Sequence, residues 1–211
     1  MTVETVHFPA DVLPYTQRLT PDVGPGQILT EDGFSGAQSV VTFHGAERWR
    51  LEMAFADLTD DDRAEMSAFV TRLRVAHNVF LCVNHTAPQR GVLSGSPRAL
   101  GSLSGQRLNV YNLTGNVASW ARAGDFLSVN SQLKMVLEDA GTSAGGVASL
   151  YVWPPLYDIP NCNTVVHVSS PCGGFRMTRA VPFNTDPPGY RMNLVLTALE
   201  RINSSFVSEV L

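Results

Sequence analysis

Apolar and other side chains alternate along residues 48–55. The apolar side of this segment consists of Trp49, Leu51, Met53 and Phe55. Because successive residues of a strand point to opposite faces of a sheet, the pattern predicts a strand with one buried and one solvated face. A β-prone segment at 39–43 precedes it, and residues 44–47 supply a short turn containing a glycine. We therefore predict a β-hairpin over residues 39–55.

A helical spacing follows directly after this strand. Four apolar residues lie at positions i, i+3, i+4 and i+7, which predicts one apolar stripe on a helix; they are Met66, Phe69, Val70 and Leu73. Thr59 or Asp60 can cap the helix, and the aspartates at 60–62 place negative charge beside its positive start. We expect the helix to end near Ala76 and its stripe to pack on the face that carries Trp49.

The rest of the chain predicts strands. Residues 78–83 form an apolar run typical of a buried strand, and residues 84–105, rich in Pro, Gly and Ser, predict a linker or an excursion. Short strands are then predicted at 108–113, 126–129, 133–139 and 147–153, with Asn130 and Ser131 as a tight connection between the second and the third. A turn at 171–174 follows, and then strands at 175–182 and 190–199 that are joined by a turn at 185–189. Several strands without an intervening helix favour a small barrel or sandwich.

Composition narrows the possible functions. The net charge is −4, with 15 basic and 19 acidic residues, and Lys134 is the only lysine. Nucleic-acid binding requires several cations on one surface, so a nucleic-acid clamp is disfavoured. The N-terminus lacks the pattern of a signal peptide, and no apolar stretch approaches the roughly 20 residues that span a bilayer. We expect a chain made and kept in the cytosol, or assembled there into something larger.

No motif predicts an active site. The histidines at 7, 44, 77, 85 and 167 lack the spacing of a metal site, although His77 and His85 flank the strand that contains Cys82. The three cysteines, Cys82, Cys162 and Cys172, are too few and too irregular for a disulfide framework, so reduced thiols are expected. A glycosidase pair could be chosen from Asp125, Glu138, Asp139, Asp158 and Asp186, but any β protein offers such a choice. We predict no catalytic residues, no cofactor and no metal site.

Three longer segments carry a resemblance in their order. The first, GAQSVVTFHGAERWRLEMAFADLTDDDRAEMSAFVTRLRVAHNVFLCVN, combines a tryptophan-bearing strand, an acidic-capped helix and an "FL" strand, with matching positions Trp49, Ala64, Phe69, Leu73, Phe80 and Leu81. The second, GDFLSVNSQLKMVLEDAGTSAGGVASLYVWPPL, begins with Gly-Asp, contains a Lys-bearing strand and ends in Pro-Pro-Leu. The third, GFRMTRAVPFNTDPPGYRMNLVLTALERI, is a closing strand pair that ends near Glu200. Together they resemble the distal tail and minor tail proteins of long-tailed bacteriophages.

This resemblance implies a mainly β fold with one helix. It consists of a discontinuous β-sandwich-like domain from residues 1–91 and 172–211, with a small β-barrel inserted at residues 92–171. Such proteins form a ring, often of six copies, that joins the tail tube to the tail tip or baseplate hub. The implied partners are other copies of the chain, the tail tube protein and the tail hub or tip proteins. The implied location is the virion tail, with DNA passing through the ring and no membrane anchor.

Two other classes of function stay open. A carbohydrate- or receptor-binding module of the tail tip would present an exposed aromatic patch, for which Trp120, Trp153, Tyr151 and Tyr157 are candidates. Trp49 is expected in the core instead. A cell-wall hydrolase of the tail tip is the second alternative, although no local catalytic motif supports it.

Overall fold

The computed structural model describes residues 3–9, 11–22, 27–31, 38–42, 47–74, 77–84, 89–179, 181 and 192–202. Within these residues the fold is mainly β with one helix, as predicted. The helix α1 is Asp60–Leu73, and the strands are β1 Thr5–His7, β2 Thr16–Asp22, β3 Gln27–Glu31, β4 Gln38–Thr42, β5 Arg48–Leu58, β6 Val79–Val83, β7 Gly95–Ser104, β8 Arg107–Leu113, β9 Phe126–Val129, β10 Gln132–Val136, β11 Ala148–Trp153, β12 Cys172–Met177 and β13 Met192–Glu200.

A six-stranded sheet combines strands from both ends of the chain, in the order β1-β6-β12-β13-β5-β2. Its neighbours are antiparallel except for β1 and β6, and the predicted pairing of the two last strands is confirmed as β12 with β13. The sheet curls strongly. Gln17 on β2 donates a 2.9 Å hydrogen bond to the carbonyl of Val83 on β6, although β5, β13 and β12 lie between these strands.

The helix covers the concave face of this sheet. Thr59 caps it, and the Asp62 side chain accepts a hydrogen bond from the backbone N–H of Thr59, which completes a capping box. The predicted stripe is buried in one core with the alternating face of β5, from Trp49 to Phe55. Arg74 is the C-cap in a left-handed conformation, so the helix ends before the expected Ala76, which lies outside the described residues.

A second, five-stranded sheet in the order β7-β8-β11-β10-β9 forms the predicted small barrel. Its two edge strands bridge to the same short segment, because Arg98 on β7 pairs with Val165 and Ser128 on β9 pairs with His167. The predicted tight turn at Asn130 and Ser131 joins β9 to β10. Both residues have positive φ values (51° and 59°), as a two-residue hairpin turn requires.

The predicted hairpin over residues 39–55 is wrong. β4 pairs with β3 in a separate two-stranded sheet, and both neighbours of β5 are other strands, β13 and β2. A short turn between two β-prone segments therefore did not decide the pairing. β5 extends over 11 residues, and only long partners such as β13 and β2 pair with most of its length.

The predicted linker at 84–105 and the predicted turn at 171–174 are also partly wrong. Residues 95–104 form β7, an edge strand with register shifts, in which Gly95 and Gly101 adopt positive φ and Pro97 is tolerated. The glycines at 173 and 174 lie inside β12 rather than in a turn. Much of the predicted turn at 185–189 and of the strand ends at 180–191 lies outside the described residues.

Candidate functional site at the junction of the two sheets

The barrel is attached to the six-stranded sheet where the β9–β10 turn rests on β12. The N–H of Gly174 donates a 2.8 Å hydrogen bond to the carbonyl of Ser131. A Cβ added to Gly173 would lie 3.0 Å from the Cβ of Leu133 and 2.8 Å from the ring of Phe175. Glycine at this position therefore lets β10 approach β12 closely, which explains why a glycine pair stands within a strand.

Glu200 connects three strands at this junction. Its side chain is 0% exposed, and its carboxylate accepts hydrogen bonds from the backbone N–H of Leu133 (2.8 Å) and of Trp49 (3.3 Å). β13, β10 and β5 are therefore joined by a single side chain. Removing it would leave buried backbone donors without a partner, which costs more than the hydrogen bonds themselves contribute.

Lys134, the chain's only lysine, is buried beside this carboxylate. Its side chain is 0% exposed, and its Nζ lies 4.0 Å from Glu200 Oε1. The Nζ also donates a 3.1 Å hydrogen bond to the carbonyl of Pro155 and lies 5.0 Å from the ring centroid of Tyr157. Burial lowers the pKa of Lys134 to about 8, and Glu200 opposes that shift. Burial likewise raises the pKa of Glu200, against the effect of Lys134.

Aromatic side chains surround this ion pair. Trp49 is 2% exposed, as its position on the alternating face predicted, and its Nε1 donates a 3.0 Å hydrogen bond to the carbonyl of Leu133. Trp153 packs edge-on against Trp49 with ring centroids 4.6 Å apart, and Phe126 lies 5.6 Å from it. The junction is therefore a closely packed core shared by both sheets.

The junction unites residues that the sequence analysis named separately. Trp49, Lys134, Pro155 and Glu200 belong to the three segments that carry the resemblance, and the fold places them in one cluster. Sequence reasoning missed their contact, because Trp49, Lys134 and Glu200 are separated from one another by 66 or more residues and leave no local signal. Since the side chains of Lys134 and Glu200 are both 0% exposed, the cluster fixes the two sheets to each other and does not present either group to a substrate.

Asp125, one of the candidate carboxylates, has a structural role in the barrel. It is 1% exposed and accepts hydrogen bonds from the N–H groups of Arg90 (2.7 Å), Gly91 (2.9 Å) and Arg122 (2.7 Å). Gln89 exchanges hydrogen bonds with the backbone of Phe126. These contacts tie the segment that leads into the barrel to its wall, so residues 89–91 pack with the barrel.

The other candidate carboxylates are distributed over the barrel surface. Glu138 and Asp139 line a cleft of about 430 Å³ together with Arg107 and Tyr151, and Asp139 accepts a 2.8 Å hydrogen bond from the N–H of Ala123. Asp158 accepts one from Asn130, and Asp186 lies outside the described residues. That no catalytic pair exists among them stays a prediction.

Two of the thiols lie close to a described histidine. His7, Cys82 and Cys172 line an apolar cleft of about 320 Å³, yet no group of three potential metal ligands occurs within the part of the chain that the structure describes. All three cysteines are free, as expected. Burial raises the pKa of the Cys82 thiol to about 12, so this thiol is protonated at neutral pH. His44 and His85 lie outside the described residues.

A comparison with protein-family models and a comparison with curated proteins each give no match. Among the described residues, no helix combines the length and apolar character needed to cross a lipid bilayer.

Proposed function

We propose that the chain is a structural protein of the tail of a long-tailed bacteriophage, a ring-forming component that joins the tail tube to the tail tip or baseplate hub. The observation that carries the proposal is the shared junction. Three segments that resemble distal tail proteins contribute Trp49, Lys134 and Glu200 to one buried cluster. A barrel rigidly fixed to a sheet suits a part that must hold its shape while neighbours assemble around it.

Surface composition is a second support. Charged residues make up only 16% of the chain, and several large apolar side chains are exposed. Val195 on β13 is 50% exposed, and Leu13 and Tyr15, just before β2, are 73% and 81% exposed. A surface with few charges and exposed apolar residues favours contacts with other protein chains.

Light scattering and negative-stain electron microscopy of the purified chain test this proposal. We expect a closed ring at micromolar concentration, and Val195→Asp should reduce the oligomer mass because it places a charge in an apolar contact. Val165→Asp is the matched control, since Val165 is 44% exposed but lies on the barrel. A monomer that persists to millimolar concentration, with no ring in virions, would contradict the proposal.

The two alternatives predict different results. A carbohydrate-binding module would give a signal on a glycan array, yet Trp49 and Trp120 are buried, and Trp153, Tyr151 and Tyr157 are only partly exposed. A cell-wall hydrolase would release fragments from purified peptidoglycan. Activity in that assay that is lost in Glu138→Gln would replace the structural proposal with an enzymatic one.

A further inference from the structure

A cleft of about 570 Å³ on the six-stranded sheet has an unusual concentration of arginine. Arg48, Arg176 and Arg201 line it, together with the apolar side chains of Leu199 and Ile202. Glu200 also lines the cleft, but its carboxylate accepts hydrogen bonds from the N–H groups of Leu133 and Trp49 in the junction and is the ion-pair partner of Lys134.

The strand register explains why the arginines meet. Leu199 on β13 is the cross-strand partner of both Arg50 on β5 and Arg176 on β12. Arg48 lies two positions from Arg50 on β5, and Arg201 lies two positions after Leu199, so alternation places all of them on the same face. The face is opposite to that of Trp49 and Phe175, which are buried in the core.

Arg48 and Arg176 each carry one guanidinium nitrogen that the described chain does not satisfy. The Nε atoms of both residues are inaccessible to solvent and have no hydrogen-bond partner, and neither residue forms an ion pair with a described carboxylate. Asp22, the cross-strand neighbour of Arg48, pairs instead with Arg50 at 3.2 Å. Burial, and then the charge of Arg201, lower the pKa of Arg176.

An anionic group in the cleft would satisfy these nitrogens. A buried donor without a partner is destabilising, and more so when it is charged, so an orphaned guanidinium nitrogen calls for an explanation. Like charges gathered on one wall add repulsion to that cost. An anion held between Arg48 and Arg176 would remove both penalties.

We propose that this cleft binds a carboxylate carried by an acidic peptide segment, with apolar residues flanking the acidic side chain. A guanidinium matches a planar carboxylate with two parallel hydrogen bonds. Leu199 and Ile202 supply an apolar wall for the neighbouring side chains of the peptide. The site thus fits a segment of another protein subunit, and it does not depend on the function proposed above.

Phosphate and nucleic acid fit this cleft less well. Protein phosphate sites commonly use free backbone N–H groups at helix starts or glycine-rich loops, whereas Arg48 and Arg176 stand on paired strands. Single-stranded nucleic acid also needs aromatic platforms for its bases, and the lining of this cleft contains no aromatic residue among those described.

The test compares two capped pentapeptides with the same fluorophore, Ala-Leu-Glu-Leu-Ala and Ala-Leu-Gln-Leu-Ala, by fluorescence polarisation with the full chain. We expect the glutamate peptide to bind at least about tenfold more tightly than the glutamine peptide, because only its carboxylate forms a charged hydrogen-bonded pair with an arginine. Arg48→Gln and Arg176→Gln should each weaken its binding about tenfold, whereas the glutamine peptide should be unaffected.

Arg18→Gln is the matched control. Arg18 is an exposed arginine on β2 of the same sheet but outside the cleft, so its replacement changes the net charge equally. We expect it to alter binding less than about twofold. Arg176→Lys, which keeps the charge but removes the guanidinium fork, should resemble Arg176→Gln and serves if the glutamine variant does not fold.

Three results would overturn the proposal. Equal binding of the two peptides would show that the carboxylate is not recognised. An equal effect of Arg18→Gln and Arg48→Gln would show general attraction to a charged sheet. Tight, arginine-dependent binding of inorganic phosphate without binding of the glutamate peptide would assign the cleft to a different ligand class.

Discussion

The two halves of the molecule build their cores from different material. The core beneath the helix is rich in aromatic side chains: Phe8 contacts Phe55, Phe69 and Phe80, and Phe80 contacts Phe175. The barrel core consists mainly of Val, Leu and Ala around Trp120, and all of its members lie between residues 93 and 168. The barrel core is therefore complete within one continuous segment, whereas the sheet core needs both ends of the chain.

The two sheets should fold in a definite order. β9 pairs with β10 across a two-residue turn, while β5 pairs with β13 from residues more than 130 positions away. Long loops must close before distant strands gain from pairing, so local sheets form faster. We expect the barrel to fold first and then to supply Phe126 and Leu133, which belong to the core of the six-stranded sheet.

Separating the halves is the strongest test of this contrast. We expect residues 89–171 alone to fold, since Asp125 keeps the N–H groups of Arg90 and Gly91 as partners. The remainder, joined by a short glycine linker, should still fold but less stably, because it loses the side chains that cover Trp49. Circular dichroism shows whether each piece is folded, and urea melts measure the free energy of unfolding of each. If the barrel fragment is unfolded and the remainder is fully stable, then the barrel is the half that depends on the other, contrary to our expectation.

Phe69→Ala should damage one half selectively. Phe69 is 4% exposed and packs edge-on against Phe8 and Phe80, so its truncation should cost about 3–5 kcal/mol. Hydrogen exchange followed by mass spectrometry should show lost protection in β5 and retained protection in β8.

Arg72→Ala is the control for this variant. Arg72 pairs with Glu4, but both side chains are more than half exposed, so we expect a loss of at most about 1 kcal/mol. If Phe69→Ala melts like the parent, or if both halves lose protection together, the two cores are not independent.

The junction should be sensitive to alkaline pH. Lys134 has a pKa near 8 in the folded chain, below its usual value of 10.5. Between these values Lys134 binds more protons in the unfolded chain, so its own contribution to the free energy of unfolding should rise with pH through that window, by on the order of 3 kcal/mol. Urea melts from pH 7 to 10 measure the rise. Lys134→Met should lack the rise that Lys134 contributes. Identical pH profiles of the parent and this variant would contradict the lowered pKa of Lys134.

The smallest expected effect concerns the helix cap. Thr59→Ala removes the side chain that accepts from the N–H of Asp62 and should cost about 1 kcal/mol. Thr71→Ala is a control of opposite sign, because Thr71 bonds back to the carbonyl of Ser67 and alanine favours a helix interior. Thermal melts compare them. Equal melting temperatures would mean that the cap does not limit stability.

The sequence alone predicts those secondary-structure elements that neighbouring residues determine. The alternation of Trp49 to Phe55, the stripe of Met66 to Leu73 and the turn at Asn130 each follow from neighbouring residues, and each is confirmed. The mainly β class with one helix is confirmed as well, and one of the sheets is a strongly curled half-barrel. The function that the resemblance implies stays a proposal.

Strand partners and buried contacts depended on the tertiary structure. β7 contains the Gly and Pro residues of a typical linker, yet it becomes a strand because β8 lies beside it. The glycines at 173 and 174 resemble a turn, yet they are needed for the close approach of Leu133 and Ser131. Glu200 and Lys134 meet where the two sheets contact each other, and the arginines of the cleft meet through cross-strand register. Local sequence determines the conformation of a segment, but its neighbours across the sheet determine which surface it buries.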